Sequence, residues 1–171
     1  MLFNSLTFFI FFALVFLLYL CLPHRGQNRL LLAASYLFYG AWDWRFLFLL
    51  AFTTTTDYFF AQAIGHAPSP RARKGWVAAS AVLDLGILGF FKYFNFFADS
   101  LAVLLESLGF HASLPLLRIV LPVGISFYTF QSMSYVVDVY RGVLPPARRW
   151  EDFALYVAFF PQLVAGPIER A

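Results

Sequence analysis

Ser126, Thr129, Gln131, Ser132 and Ser134 place hydroxyl and amide groups along one aromatic-rich stretch that runs from Leu121 to Arg141, and Asp138 adds a carboxylate near its end. At helical spacing Ser126 and Thr129 share a face with Met133, whereas Phe127, Gln131, Ser134 and Asp138 share another. Two roles fit this pattern. The polar faces can line a cavity for a substrate, or they can hydrogen-bond one helix to the next, as polar side chains do in bundles. Asp138 can likewise be a working carboxylate or one half of a local ion pair with Arg141 or Arg149. Asp57 and Asp84 lie deeper in apolar sequence, where an ionised group is costly and must face protein or water. Each is open to a functional or a structural reading. Three carboxylates on three separate segments do not by themselves make a proton relay or a metal site.

Gln162 and the neighbours Glu169 and Arg170 flank a segment broken by Pro161 and by Gly166-Pro167. Broken backbone at membrane depth is tolerated where it lines a cavity or is buried in protein. These three residues can therefore shape a tunnel, or they can close a tight turn through an interfacial salt bridge. The constellations of soluble enzymes are missing from the sequence. There is no Gly-rich phosphate loop, no His-containing metal cluster and no Ser in a nucleophile elbow. His24, His66 and His111 all fall in segments predicted to connect helices, so none is placed as a general base within a span. Cys21 is the sole cysteine, which excludes an internal disulfide and a Cys-rich metal site.

The elements that must position these residues follow from composition. The chain has 171 residues, of which 61% are hydrophobic and 12% charged, with 23 Phe. A soluble domain carries about 25% charged residues. Here the apolar runs are long and the charges collect between them, which makes lipid the expected solvent. The net charge of +3 resides in short loops and reads as a positive-inside signal, not as a nucleic-acid surface. The first apolar run, Leu6–Leu22, has no basic region before it and no small-residue cleavage site after it, so it is read as a retained helix and not a signal peptide.

Hydropathy predicts an all-α, polytopic helical membrane protein with spans near 3–22, 29–42, 46–64, 76–91 and 116–139. The run Thr53–Thr56 can return its hydroxyls to helix carbonyls. A polar, Pro-containing loop is expected from Gly65 to Gly75. Residues 94–108 read as a separate amphipathic helix in the interface, with Asn95, Asp99, Ala102 and Glu106 on one side and Phe94, Phe97, Leu101, Leu104, Leu105 and Leu108 on the other. Segment 153–168 is too short and too interrupted for an ordinary span and reads as broken or re-entrant. Loop charge supports this layout. With the N-terminus outside, Arg25, Arg29, Arg71, Arg73, Lys74, Arg141, Arg148 and Arg149 all fall inside only if 94–108 does not cross.

Three motifs carry a resemblance to a known family: Phe91-Lys92-Tyr93-Phe94-Asn95-Phe96-Phe97, the stretch Leu121–Arg141, and Phe159-Phe160-Pro161-Gln162-Leu163-Val164-Ala165-Gly166-Pro167-Ile168. In these, and in Leu2–Ser5 and Tyr36–Tyr39, the chain resembles the N-terminal portion of the membrane-bound O-acyltransferase family, specifically its bacterial alginate O-acetyltransferase branch. The resemblance implies a single domain, 1–171, that is part of a larger transferase fold in the bacterial cytoplasmic (inner) membrane. It implies transfer of an acetyl group to a polysaccharide hydroxyl, with acetyl-CoA or another activated acyl thioester as donor and no covalently bound cofactor. It also implies periplasmic or export partner proteins. The family's catalytic histidine lies in a later segment, so no residue of this chain maps onto it and the expectation is a fragment inactive alone. The competing expectations are a non-enzymatic accessory subunit, one half of a split acyltransferase that pairs with a C-terminal half, or a transporter built on Asp57 and Asp84. No paired broken helices or charge ladder support the last of these.

Overall fold

The computed structural model describes residues 5–108 and 118–163, and every regular element among them is a helix. In chain order these are α1 (Leu6–Cys21), α2 (His24–Gly40), α3 (Trp44–His66), α4 (Pro70–Ser107), α5 (Ile125–Arg141), α6 (Trp150–Ala158) and α7 (Phe160–Leu163). The starts carry local signals. Ser5, Asp43 and Ser69 cap α1, α3 and α4 through their side chains, and α4 has Pro70 at its first position, where a missing N–H costs nothing. At the end of α5, Gly142 adopts φ 75°, and the Val143 N–H returns to the Asp138 carbonyl at 2.9 Å.

Helices α3, α4 and α5 pack against one another, and α2 and α6 close over this trio. The core includes Leu50, Ala61, Ile64, Leu88, Tyr128 and Val136. Helix α1 lies on the outside against α2, with Val15 its one buried residue and Leu6, Phe9, Ile10, Leu17 and Leu20 exposed. Among the described residues α4 alone is long and apolar enough to cross a membrane, and α1 is a shorter apolar helix.

Several element boundaries differ from the sequence expectation. The largest difference is in α4. Residues 76–91 and 94–108 are not two helices but parts of one helix of 38 residues, about 57 Å long. The amphipathic pattern changes near residue 92, yet no Pro or Gly follows Gly89 in this helix, so nothing breaks the backbone. Among the described residues both sides of its second half carry exposed side chains: Phe97, Leu101 and Leu104 on one, Asp99 and Glu106 on the other. Helix α2 begins at His24, one residue after Pro23, and so takes in Asn28 and Arg29. The expected loop from Gly65 to Gly75 shrinks to Ala67–Ser69. The span expected from residue 116 becomes a helix only at Ile125, because Pro122 lacks a donor and Gly124 takes a left-handed φ of 78°. His24 and His66 stand at helix ends instead of in loops, both exposed, and His111 lies outside the described residues.

Residues 118–124 are tied to α4 by one side chain. Asn95 donates from Nδ2 to the Ile119 carbonyl at 2.7 Å, and its Oδ1 accepts from the Ile119 N–H at 2.9 Å. The amide thus mimics a neighbouring strand. Asn95→Ala removes both bonds, at an expected cost of about 1–3 kcal/mol. The check is hydrogen exchange at the Ile119 N–H, which should lose its protection in the variant. Unchanged protection would show that the pairing does not hold this segment.

The connections sort to two ends of the bundle. At one end Arg29 pairs with Glu151 (3.1 Å), Asn28 donates to Asp152 (3.1 Å), Gln62 donates to the Ala147 carbonyl (2.6 Å), and Arg73 donates to the carbonyls of Tyr140 (2.7 Å) and Val139 (3.3 Å). The guanidinium of Arg73 thereby caps the negative end of α5. This end carries Arg25, Arg29, Arg71, Arg73, Lys74, Arg141, Arg148 and Arg149, eight of the chain's 12 Lys and Arg residues. The opposite end holds the Asp43–Arg45 pair (2.7 Å) and the bond from the Tyr39 hydroxyl to the Val123 carbonyl (2.9 Å). Arg45 stabilises the ionised form of Asp43, first through the side-chain hydrogen bond, and holds its carboxyl below the usual range.

Candidate functional site: a buried break and a buried acid pair

Pro161 has no N–H, and its ring excludes the carbonyl four residues earlier, so α6 cannot run through it. The helix stops at Ala158 and restarts at Phe160, which puts Pro161 in the first turn of α7. The break expected within 153–168 therefore falls at Phe159, while residues 164–168 lie outside the described residues. A continuous helix would have bonded the Phe160 N–H to the Tyr156 carbonyl. Both groups find other partners. Phe160 N–H donates to Ser35 Oγ at 3.1 Å, and Ser35 in turn donates to the Leu31 carbonyl at 2.7 Å. Gln131 donates from Nε2 to the Tyr156 carbonyl at 2.8 Å. One hydroxyl from α2 and one amide from α5 thus satisfy a backbone that lipid could not.

The same break is packed by aromatic rings. Phe160 is 2% exposed and stands 5.5 Å from Phe11, 5.6 Å from Phe38 and 6.4 Å from Phe8, centroid to centroid. Leu163 is fully buried, and its carbonyl oxygen lies 2.5 Å from where a Cβ on Gly124 would sit. Beside the break an apolar cavity of about 240 Å³ is lined by Phe12, Phe16, Tyr19, Leu31, Phe159 and Pro161, among others. Tyr19 is the one hydroxyl-bearing side chain among the described residues that line it.

The candidate polar residues of α5 and α7 do not converge on one point. Gln131 is buried against α6, and its Oε1 has no partner among the described residues. Ser126 and Gln162 are half-buried, on α5 and α7 respectively. Asp138 is buried in the last turn of α5, at the basic end. The ion pair expected for it with Arg141 or Arg149 is absent among the described residues. Arg141 is exposed and Arg149 pairs with Glu151, because α6 starts beside it. Glu169 and Arg170 lie outside the described residues.

Asp57 and Asp84 behave differently. Separate in sequence, they lie on neighbouring helices in the interior: α3 and α4 are joined by a three-residue link and run antiparallel, so Asp57 faces Ser80, one turn along α4 from Asp84. Ser80 Oγ donates to Asp57 Oδ1 at 2.9 Å, and Ser132 Oγ of α5 donates to Asp57 Oδ2. Asp57 and Asp84 are 0% and 1% exposed. Of the threonine run, Thr53 and Thr56 bond back to helix carbonyls at 2.9–3.1 Å, Thr55 accepts from Trp150 Nε1 at 3.2 Å, and the buried Thr54 hydroxyl has no partner among the described residues. Sequence reasoning missed Ser80 altogether and gave Ser132 no partner. The signal that could have found Ser80 is register: it lies ten residues after the start of α4 and Asp57 lies nine before the end of α3.

Among the described residues no group of three or more His, Cys, Asp and Glu is placed to hold a metal ion, and both described histidines are exposed at helix ends. What the fold defines is an all-helical fragment of membrane type, with a buried break and a buried acid pair between helices. No family model matches the chain, and no solved structure matches it. Curated relatives do. The protein of Pseudomonas aeruginosa named "Probable alginate O-acetylase AlgI" is 46% identical over 99% of this chain and 33% of its own length, and its namesake from Azotobacter vinelandii is 45% identical over 99% and 34%. The peptidoglycan O-acetyltransferase of Helicobacter pylori is 33% identical over 98% of this chain and 37% of its own length. The chain is thus a homologue of the bacterial alginate O-acetylases from end to end, and it spans about a third of the length of the relatives it matches.

Proposed function

We propose that this chain is the helical scaffold portion of a membrane-bound O-acyltransferase that moves acetyl groups onto polysaccharide hydroxyls in the bacterial inner membrane. The observation that carries this reading is the 46% identity with the Pseudomonas aeruginosa relative across 99% of the chain. In the reaction a base takes the proton of a sugar hydroxyl, the oxygen attacks the thioester carbonyl of acetyl-CoA or a similar donor, and the thiolate leaves with a proton. The base is a histidine supplied by the two-thirds of the enzyme that this chain does not match. His24 and His66 are exposed at helix ends, which supports assigning them no part in the reaction.

The chain's own contribution is to position. Helices α5 to α7, with Ser126, Gln131, Asp138 and Gln162, together with Glu169 and Arg170, brace or line the passage through which donor or sugar reaches the base. The basic end bearing Arg25, Arg29, Arg71 and Lys74 faces the cytoplasm, which sets the start of α1 on the outer side, and the protein crosses the membrane several times. Export or periplasmic proteins deliver the polysaccharide. The test is functional replacement of the corresponding third of a homologous alginate O-acetylase by this chain, with polymer-bound acetyl as the readout.

A further inference from the structure

The apolar cavity beside the break needs an occupant. It runs along α1 from Phe12 to Tyr19. That is about 10 Å along the helix axis, two-thirds of the roughly 15 Å hydrocarbon depth of one leaflet. Phe12 and Phe16, whose rings stack at 6.2 Å, line it and are themselves exposed, so it opens sideways from the bundle. Water is a poor filling. Tyr19 is the one lining side chain with a polar atom among the described residues, whereas an ordered water takes about two to four polar partners. Apolar cavities of this kind stay dry and admit hydrocarbon guests.

The chemistry changes toward the basic end. Leu31, Gln27 and His24 share one face of α2 at helical spacing. Gln27 donates from Nε2 to the Tyr19 carbonyl at 3.1 Å, which sets that face against the end of α1. Arg25, next to His24, lies about 9 Å along α2 from Leu31. Both are exposed, and neither is in an ion pair among the described residues, where Arg29 and Arg149 pair with Glu151 and Arg45 pairs with Asp43. We propose that this groove binds an anionic phospholipid, with one acyl chain lying along α1 between Phe12 and Tyr19 and the phosphate held at Arg25 and His24. The guanidinium and imidazole N–H groups are donors matched to phosphate oxygens.

Lipid, and not the remainder of a longer enzyme, is the occupant because of what α1 presents. Between Phe8 and Leu20 its exposed positions are Phe, Ile and Leu throughout, apart from Ala13. Helix–helix contacts in membranes are enriched in Gly, Ser and Thr, and that stretch of α1 exposes none of them. The half-buried positions of α5, by contrast, include Ser126 and Ser134. The site rests on the membrane placement proposed above and does not depend on the acetyl-transfer reading.

Photolabelling of the full chain in phosphatidylcholine vesicles tests it, using a trace of lipid that carries a diazirine midway along one acyl chain. A phosphatidylglycerol tracer should label Phe12, Phe16, Phe159 and Pro161 above Ile10, Leu14 and Leu17, which are exposed and do not line the groove. It should label them about fivefold more than a phosphatidylcholine tracer with the same chain, the factor one basic side chain supplies at an anionic headgroup. Arg25→Gln, at an exposed position, should bring phosphatidylglycerol down to the phosphatidylcholine level. Leu31→Trp fills the groove and should remove the label from Phe159 and Pro161. Label spread evenly around α1, equal labelling by the two tracers, or a preference that survives Arg25→Gln would overturn the proposal. So would loss of the label once the chain is built into the Pseudomonas aeruginosa relative, because the rest of that enzyme would then fill the groove. No label anywhere in the chain would overturn the membrane placement and the proposal with it. Should Leu31→Trp not fold, the wild-type map and Arg25→Gln decide.

Discussion

Phe160→Ala is expected to destabilise the protein by about 3–5 kcal/mol, the range for truncating a buried aromatic ring to a methyl group. Phe160 is 2% exposed and is surrounded by the rings of Phe8 and Phe11 on α1 and Phe38 on α2. Its removal leaves a cavity beside the existing apolar one of about 240 Å³. The backbone around it cannot collapse inward freely, because the Phe160 N–H is fixed to Ser35 and the Tyr156 carbonyl to Gln131. Denaturant unfolding in detergent should show the loss, with a smaller one for Phe160→Leu, which refills part of the space. A change below about 1 kcal/mol, the level usual for surface positions, would mean that α7 does not anchor α1 and α2.

Gly124→Ala should be nearly as damaging, for a different reason. At φ 78° an L-residue pays for the left-handed backbone, and the added methyl would sit 2.5 Å from the Leu163 carbonyl oxygen, a backbone atom that cannot rotate away. The expected loss is about 1–3 kcal/mol from the backbone conformation alone, and more once α5 and α7 are forced apart. Gly142→Ala is the control. Its φ is 75°, yet a Cβ there meets nothing within 4 Å, so it isolates the backbone cost. Gly124→Ala should unfold at a clearly lower denaturant concentration than Gly142→Ala. Equal midpoints would remove the close approach of α5 to α7 from the account.

These two residues show what was legible in the sequence. Pro122, Gly124 and Pro161 announce interruptions, and the interruptions occur. Their consequences were harder to read: the span expected near 116–139 becomes helical only after Gly124, and the break before Pro161 falls at Phe159. The change of pattern near residue 92 was misread as a boundary. Amphipathicity describes what surrounds a helix, and only the backbone chemistry of Pro, Gly or a capping side chain ends one. Partnerships across the fold were the least legible. The polar face holding Gln131 could as well have lined a cavity, and nothing local says that its amide bonds the Tyr156 carbonyl. Asp57 and Ser80 required the length of the α3–α4 link, which the Pro- and charge-rich sequence made look longer than its three residues.

The central claim is that this chain acts as the positioning third of a polysaccharide O-acetyltransferase, with the base supplied from elsewhere. It is tested most directly by building the chain into the Pseudomonas aeruginosa relative in place of the matching third, expressing the chimera in cells that lack that relative, and measuring acetyl esters on the secreted alginate. The account predicts acetylated polymer from the chimera and none from this chain expressed alone. Acetylation by the chain alone, or a chimera that inserts into the membrane at normal levels and leaves the polymer bare, would contradict it.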